Sequence, residues 1–192
     1  AQYVELVDQI RADGYRVDAY QLPVMIDERK MRSTLLQRTL CLVDLPADRE
    51  VLMLYTSFLR PHGPGFLWSY GSQAQSIGVG STGGGVEVAA LDARPLQWNE
   101  LARDLRQAWV FSDDIHIFSL EGCLRAGYLT RLKEFEWDRP IIDPVDQAEL
   151  VDTWRAALRS LLWLSSHRSA VILSLAISLI LLKQIRRIFT KG

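Results

Sequence analysis

Short apolar runs of strand length alternate along this chain with stretches of helical spacing, and no hairpin-type turn joins one run to the next. That alternation restricts the fold more than any other feature, because such a chain buries its apolar faces as a parallel sheet with crossover helices. Tyr3, Leu6, Val7 and Ile10 share one face of an opening helix that Asp13 and Gly14 close, as a C-terminal glycine commonly does. Residues 15–22 follow as a strand, rich in Tyr and Val and ended by Pro23. A helix is expected over residues 27–42, with Met31, Leu35, Thr39 and Leu42 inward. Residues 51–57 form a near-continuous apolar run of the sort found in buried parallel strands. The pattern then repeats, with a short helix over 66–75, a strand over 76–81 and a helix over 95–110 that aligns Trp98, Leu101, Leu105, Ala108 and Trp109. A strand over 114–120 and a helix over 125–137, with Tyr128, Leu132 and Phe135 inward, complete the series. The four strands are expected as parallel neighbours in sequence order.

Two architectures use this alternation, the open doubly wound sheet and the eight-stranded barrel. Four strands behind a helix that lacks a strand of its own fit strands five to eight of a barrel. Because a barrel needs about 250 residues, this chain reads as the C-terminal half of one. The order of elements over residues 1–137 resembles the second half of (β/α)8-barrel glycoside hydrolases and related sugar-active barrels. The resemblance is one of layout. It implies an α/β fold of four parallel strand-helix units like the second half of a TIM barrel, with sugar-directed chemistry at the carboxyl ends of the strands.

Residues 169–182 read SAVILSLAISLILL, fourteen residues without a charge, followed by Lys183, Arg186, Arg187 and Lys191. A membrane span needs about 20 apolar residues, and extension through a snorkelling Lys183 to Ile185, or upstream from Leu161, supplies them. A core helix does not normally end in such a cluster of cations, and an interfacial helix needs a polar face for which Val171, Ile172, Leu173, Leu175 and Ile177 leave little room. The expectation is a single C-terminal transmembrane helix, with the lipid bilayer as a partner. The cations after the run, against Arg155, Arg159 and Arg168 before it, put the C-terminus in the cytosol and the globular domain on the outer side. The chain then divides into a half-barrel domain at 1–140, an amphipathic connecting helix at 141–165, and the anchor with its basic tail at 166–192.

With 192 residues the chain can bury one good core. A net charge of -1 and the lack of a basic stripe outside the tail argue against nucleic acid as a partner. Cys41 and Cys123 are too few and too far apart for a disulfide framework or a zinc site, and read as two buried thiols. His62, His116 and His167 stand apart without ligand spacing, so neither a metal nor a cofactor is expected. Serine-hydrolase chemistry lacks its G-x-S-x-G turn, since Val79 stands where the first glycine before Ser81 belongs. The chain begins at Ala1, without a methionine or a signal-like apolar segment, which reads as a processed or truncated N-terminus.

In a parallel α/β fold ligands lie at the carboxyl ends of the strands, which here are Gln21, Ser57, Ser81 with Thr82, and Glu121. Glu121, in SLEGC after the fourth strand, reads as an acid or nucleophile, or else as a helix cap or partner of Arg125. Asp18 shares a strand face with Tyr20. A carboxylate there needs a partner, so it either enters the site as the second carboxylate or bonds a cation such as Arg16 or Arg60. Gly78, Gly80 and Gly83 spell G-x-G-x-x-G, continued by Gly84 and Gly85, but no helical pattern follows as a dinucleotide site requires. The remaining readings are a glycine-rich loop that cradles a phosphate and a plain flexible loop. Phe66, Trp68 and Tyr70 offer flat rings suited to sugar faces at a barrel mouth, or else to the core.

The expected function is a membrane-tethered, sugar-active barrel protein of the glycoside hydrolase kind, with Glu121 and Asp18 as its carboxylates. Gln21, Ser57, Ser81, Trp68 and Tyr70 then bind the carbohydrate. The alternative is a non-catalytic module that binds a glycan or a partner protein at the membrane surface. A third reading is an enzyme for a phosphate-bearing ligand, built on residues 80–85.

Overall fold

The computed structural model describes residues 2–76, 82–85 and 94–167. The first helix, α1 (Gln2–Ala12), ends where Gly14 takes a left-handed φ of +86° and the Tyr15 N–H reaches back to the Ile10 carbonyl at 3.2 Å. Val7 is buried, whereas Tyr3 and Leu6, expected on the same inward face, are exposed. Strand β1 (Asp18–Gln21) alternates as a strand must, with Ala19 and Gln21 buried and Asp18 and Tyr20 outward.

The helix expected over 27–42 is two helices, α2 (Val24–Lys30) and α3 (Leu35–Leu40). The break has a chemical cause. Ser33 Oγ accepts the Leu35 N–H at 3.1 Å, and the buried Glu28 carboxylate accepts those of Leu36 at 2.6 Å and Gln37 at 3.2 Å. The first amides of α3, which have no acceptor within their own helix, are thereby satisfied by side chains. Strand β2 (Arg49–Met53) leads through a 3-10 turn, Thr56–Leu59, into α4 (Gly63–Ser76). Strand β3 (Thr82–Gly85) lies later than the expected 76–81 and consists of one threonine and three glycines.

Helix α5 (Trp98–Phe111) opens with a reciprocal cap between Gln97 and Glu100. Strand β4 (His116–Phe118) precedes α6 (Leu120–Arg125), capped by Ser119, and α7 (Tyr128–Lys133). Gly127, at a left-handed φ of +68°, separates these two helices where a single one over 125–137 was expected. The long α8 (Val145–Ser166) packs against α4, α2 and α3 and adds Ala148, Val151 and Leu162 to the buried set.

The four strands form one sheet in the order β1, β2, β3, β4, and every adjacent pair is parallel. Tyr20 lies opposite Val51, Leu52 opposite Thr82, and Gly83 opposite His116. One face of the sheet is covered by helices. Leu52 and Leu54 pack there with Ile26, Leu67, Tyr70, Ala74, Ala108 and Val151. A second cluster joins Leu101 and Leu105 of α5 to Cys123 and Phe135. Each fully buried leucine stabilises the fold by about 2 kcal/mol. Helices α4 and α8 touch backbone to backbone at Gly65, where a Cβ would lie 2.4 Å from the Gln147 carbonyl carbon.

This architecture corrects the half-barrel expectation. The described residues are mostly helix, and the strands among them are three to five residues long. A barrel fills its interior with layers of bulky side chains from successive strands, and three glycines in β3 supply none. The two outer strands are instead joined to each other across the sheet, as described below. The transmembrane expectation is corrected too, and with it the single-pass membrane placement. No helix among the described residues is long and apolar enough to cross a membrane. Helix α8 carries Arg155 and Arg159 among its apolar residues, and the run at 169–182 lies outside the described residues. Cys123 is buried, but Cys41, expected buried, is exposed.

Candidate functional site

The face of the sheet that the helices leave open carries a cavity of about 410 Å³ lined by Tyr20, Val51, Leu52, Met53, Tyr55, His116, Ile117 and Phe118. Its geometry follows from strand register. Tyr20 stands outward on β1 opposite Val51 of β2, which is buried, while Met53 and His116 are half-buried and Phe118 is exposed. Strands lie about 4.8 Å apart, so the outer two of four stand roughly 14 Å apart if the sheet is flat. Tyr20 and His116 nevertheless meet, with Tyr20 Oη 2.8 Å from His116 Nδ1 and the rings edge to face at 5.6 Å. The glycines of β3 permit this, because they put no side chain between the two rings.

At the carboxyl end of the pocket Tyr55 stacks on Phe118 at 5.5 Å with 27° between the planes. The Phe118 ring is half exposed and Tyr20 is 54% exposed, so the pocket opens to solvent. Burial, and then the neighbouring Tyr20, push the Tyr55 phenol up from its ordinary value of 10.0, which keeps it a neutral donor. Which group donates between Tyr20 and His116 depends on the imidazole tautomer. His116 Nε2 is buried and lies 3.3 Å from Asp114 Oδ1 without the alignment of a hydrogen bond. The lining thus offers aromatic faces, a thioether, two phenols and an imidazole, and no carboxylate, lysine or arginine among the described residues.

The structure disperses the residues singled out from sequence. Glu121 sits in the first turn of α6 with its side chain 72% exposed and paired with Arg125. Asp18 accepts from Arg49 Nε at 3.1 Å, and Arg49 also reaches Asp114. These groups gather at the amino ends of β1 and β2, opposite to where parallel folds bind ligands. Gln21 is buried and donates to the Val43 carbonyl at 3.0 Å. Ser57 is buried in the 3-10 turn, its Oγ without a partner among the described residues. Trp68 packs edge-on against Phe111. Tyr70 is buried and hydrogen-bonds Asp27 at 2.8 Å. Ser81 lies outside the described residues, and Gly83 to Gly85 form β3 instead of an open phosphate loop. Among the described residues, none of those singled out from sequence lines the pocket.

The hydrolase and glycosidase expectation is corrected on the same grounds, because a glycosidase needs two carboxyl groups facing one bond. Glu121 is instead a surface ion pair on α6, and Asp18 is engaged by Arg49 at the far end of the sheet. Sequence reasoning passed over Tyr20 and His116. Each stands within an expected strand, but no sequence signal joins them, because the glycine strand between them is placed only by the sheet. No protein-family model, no curated protein and no solved structure matches the chain.

Proposed function

We propose that this protein is a non-catalytic binding module whose sheet-face pocket takes a neutral, ring-shaped ligand bearing hydroxyl groups, of the saccharide kind. The observation that carries this reading is the Tyr20 to His116 bridge beside the stacked Tyr55 and Phe118 rings. A saccharide ring has apolar C–H faces that rest on aromatic rings, and rim hydroxyls to which a phenol or an imidazole can donate or from which it can accept. Pockets of this size, mostly apolar with a few convergent polar groups, are the usual form of a small-molecule site. A charged ligand has no counter-ion in the described lining. The carboxyl ends of parallel strands are also the customary place for a ligand.

The test is a titration of the full chain with a panel of neutral mono- and disaccharides, followed through the imidazole resonances. The His116 signals are expected to move while those of His62 and His167, which lie elsewhere, stay still. Phe118→Ala is expected to weaken binding about tenfold, equivalent to about 1.4 kcal/mol, and Tyr20→Phe to weaken it less. Silence of His116 toward every sugar, or affinity unchanged in Phe118→Ala, overturns the reading.

A further inference from the structure

On the helical side, away from the sheet-face pocket, a cavity of about 320 Å³ opens where the turn between α2 and α3 meets the end of α8. Its polar lining is Arg32, Ser33, Thr34, Arg38, Ser165 and Ser166. We propose that this cavity is a binding site for a phosphate group carried by a small soluble molecule.

The first reason is charge. Neither the Arg32 nor the Arg38 guanidinium has a hydrogen-bond or ion-pair partner among the described residues, whereas other arginines nearby are neutralised. Arg29 is held by Asp44 and Glu50, and Arg155 and Arg159 by Asp27. No carboxylate lines the cavity. Glu28 of α2 is turned to the Leu36 and Gln37 amides, whose dipoles offset its charge. Two free guanidiniums on one cavity match an oxyanion, which each can bind through paired N–H donors.

The second reason is construction. The cavity joins segments more than a hundred residues apart, and specific bonds hold its two walls together. Ser33 Oγ meets Ser165 Oγ at 3.1 Å, and Ser166 Oγ donates to the Met31 carbonyl at 3.3 Å. Arg32 is held at a φ of +50°, a left-handed conformation that is unfavourable for a residue with a Cβ. The Thr34 hydroxyl adds a donor with no partner among the described residues. Phosphate, with several acceptor oxygens and close to two negative charges near neutral pH, can engage two arginines and a hydroxyl together. The volume also admits a small organic group attached to it.

The test uses the full chain, inorganic phosphate and glycerol 3-phosphate, with chloride at matched ionic strength as the control. Binding read by calorimetry is expected for both phosphate probes and not for chloride. Arg38→Gln is expected to weaken it about tenfold, the effect of losing one charge-assisted interaction. Arg38→Lys, which keeps the charge but loses the paired geometry, is expected to fall between. Arg32→Gln should act like Arg38→Gln. Should that strained turn fail to fold, the two Arg38 variants decide the matter alone. Lys30→Gln, which lines a different cavity, is expected to change nothing. A response to phosphate no larger than to chloride, or undiminished in Arg38→Gln, overturns the proposal. So does a chain that answers only to phosphatidic acid vesicles and not to soluble phosphate.

Discussion

Asp27 and Arg155, 128 residues apart in the chain, form an ion pair buried from solvent, with Arg155 Nη2 at 3.0 Å and Nε at 3.1 Å from the two carboxylate oxygens. Tyr70 donates to the same carboxylate and lies with its ring 3.9 Å beneath the guanidinium, and Arg159 closes the group at 2.6 Å. Three helices, α2, α4 and α8, thus share one polar knot.

Breaking that knot on one side leaves a buried charge without its main partner. Arg155→Met is expected to destabilise the protein by about 3–5 kcal/mol in urea unfolding. The double variant Asp27→Leu with Arg155→Met is expected to lose less than the sum of the two single changes. A loss below about 1 kcal/mol for Arg155→Met removes the pair as an organiser of α8.

The closest helix contact rests on the absence of a side chain. A Cβ at Gly65 meets the Gln147 backbone at 2.4 Å, whereas at Gly71 it meets the Phe111 ring at 2.5 Å. Backbone cannot yield as a ring can, so Gly65→Ala is expected to cost more than Gly71→Ala, by about 1–3 kcal/mol against the smaller figure. Equal unfolding midpoints for the two variants contradict this.

Two acids of α5 are expected to act in opposite directions on acidification. Burial pushes the Asp104 carboxyl up from 3.8, against the pull of Arg103 and the Thr56 hydroxyl. The folded state then binds the proton more tightly, so this contribution is fully present below 3.8 and is lost as the pH rises through the folded value. At Glu100 burial also pushes upward, but Arg60 and the Gln97 amide outweigh it and leave the carboxyl below 4.5. Its stabilisation is present above 4.5 and is lost as the pH falls through the folded value. Unfolding followed from neutral pH to about pH 3 should therefore show Asp104→Asn less costly at the neutral end and Glu100→Gln less costly at the acid end.

Glu121 is expected to be nearly silent. Its bond to Arg125 is an exposed pair one helical turn apart, worth about 0.3–0.5 kcal/mol. Glu121→Gln should leave the unfolding midpoint and saccharide binding almost unchanged. A large change in either places this residue in a role that its surface position does not explain.

What the sequence determined by itself was local. The Tyr- and Val-rich stretch at 15–22 with its stop at Pro23, the apolar run at 51–57 and the lack of hairpin turns made the parallel order of the strands legible, because each signal acts within a few residues. Gly14, which closes the first helix, belongs to the same class. Where a helix ends was less legible, since α2 and α3 part only when Glu28 turns back on amides eight and nine residues ahead. The site was decided by tertiary structure alone. Tyr20 and His116 are 96 residues apart, and nothing near either predicts that a glycine strand between them will let their rings touch. Trp68 and Tyr70 had the composition of a ligand platform, but α8 covers Tyr70 with Arg155 and α5 covers Trp68 with Phe111. Glu121 and Asp18 were drawn to surface arginines instead of a common pocket. A side chain's type is written in the chain, whereas its partner depends on which distant surfaces packing brings within reach of it.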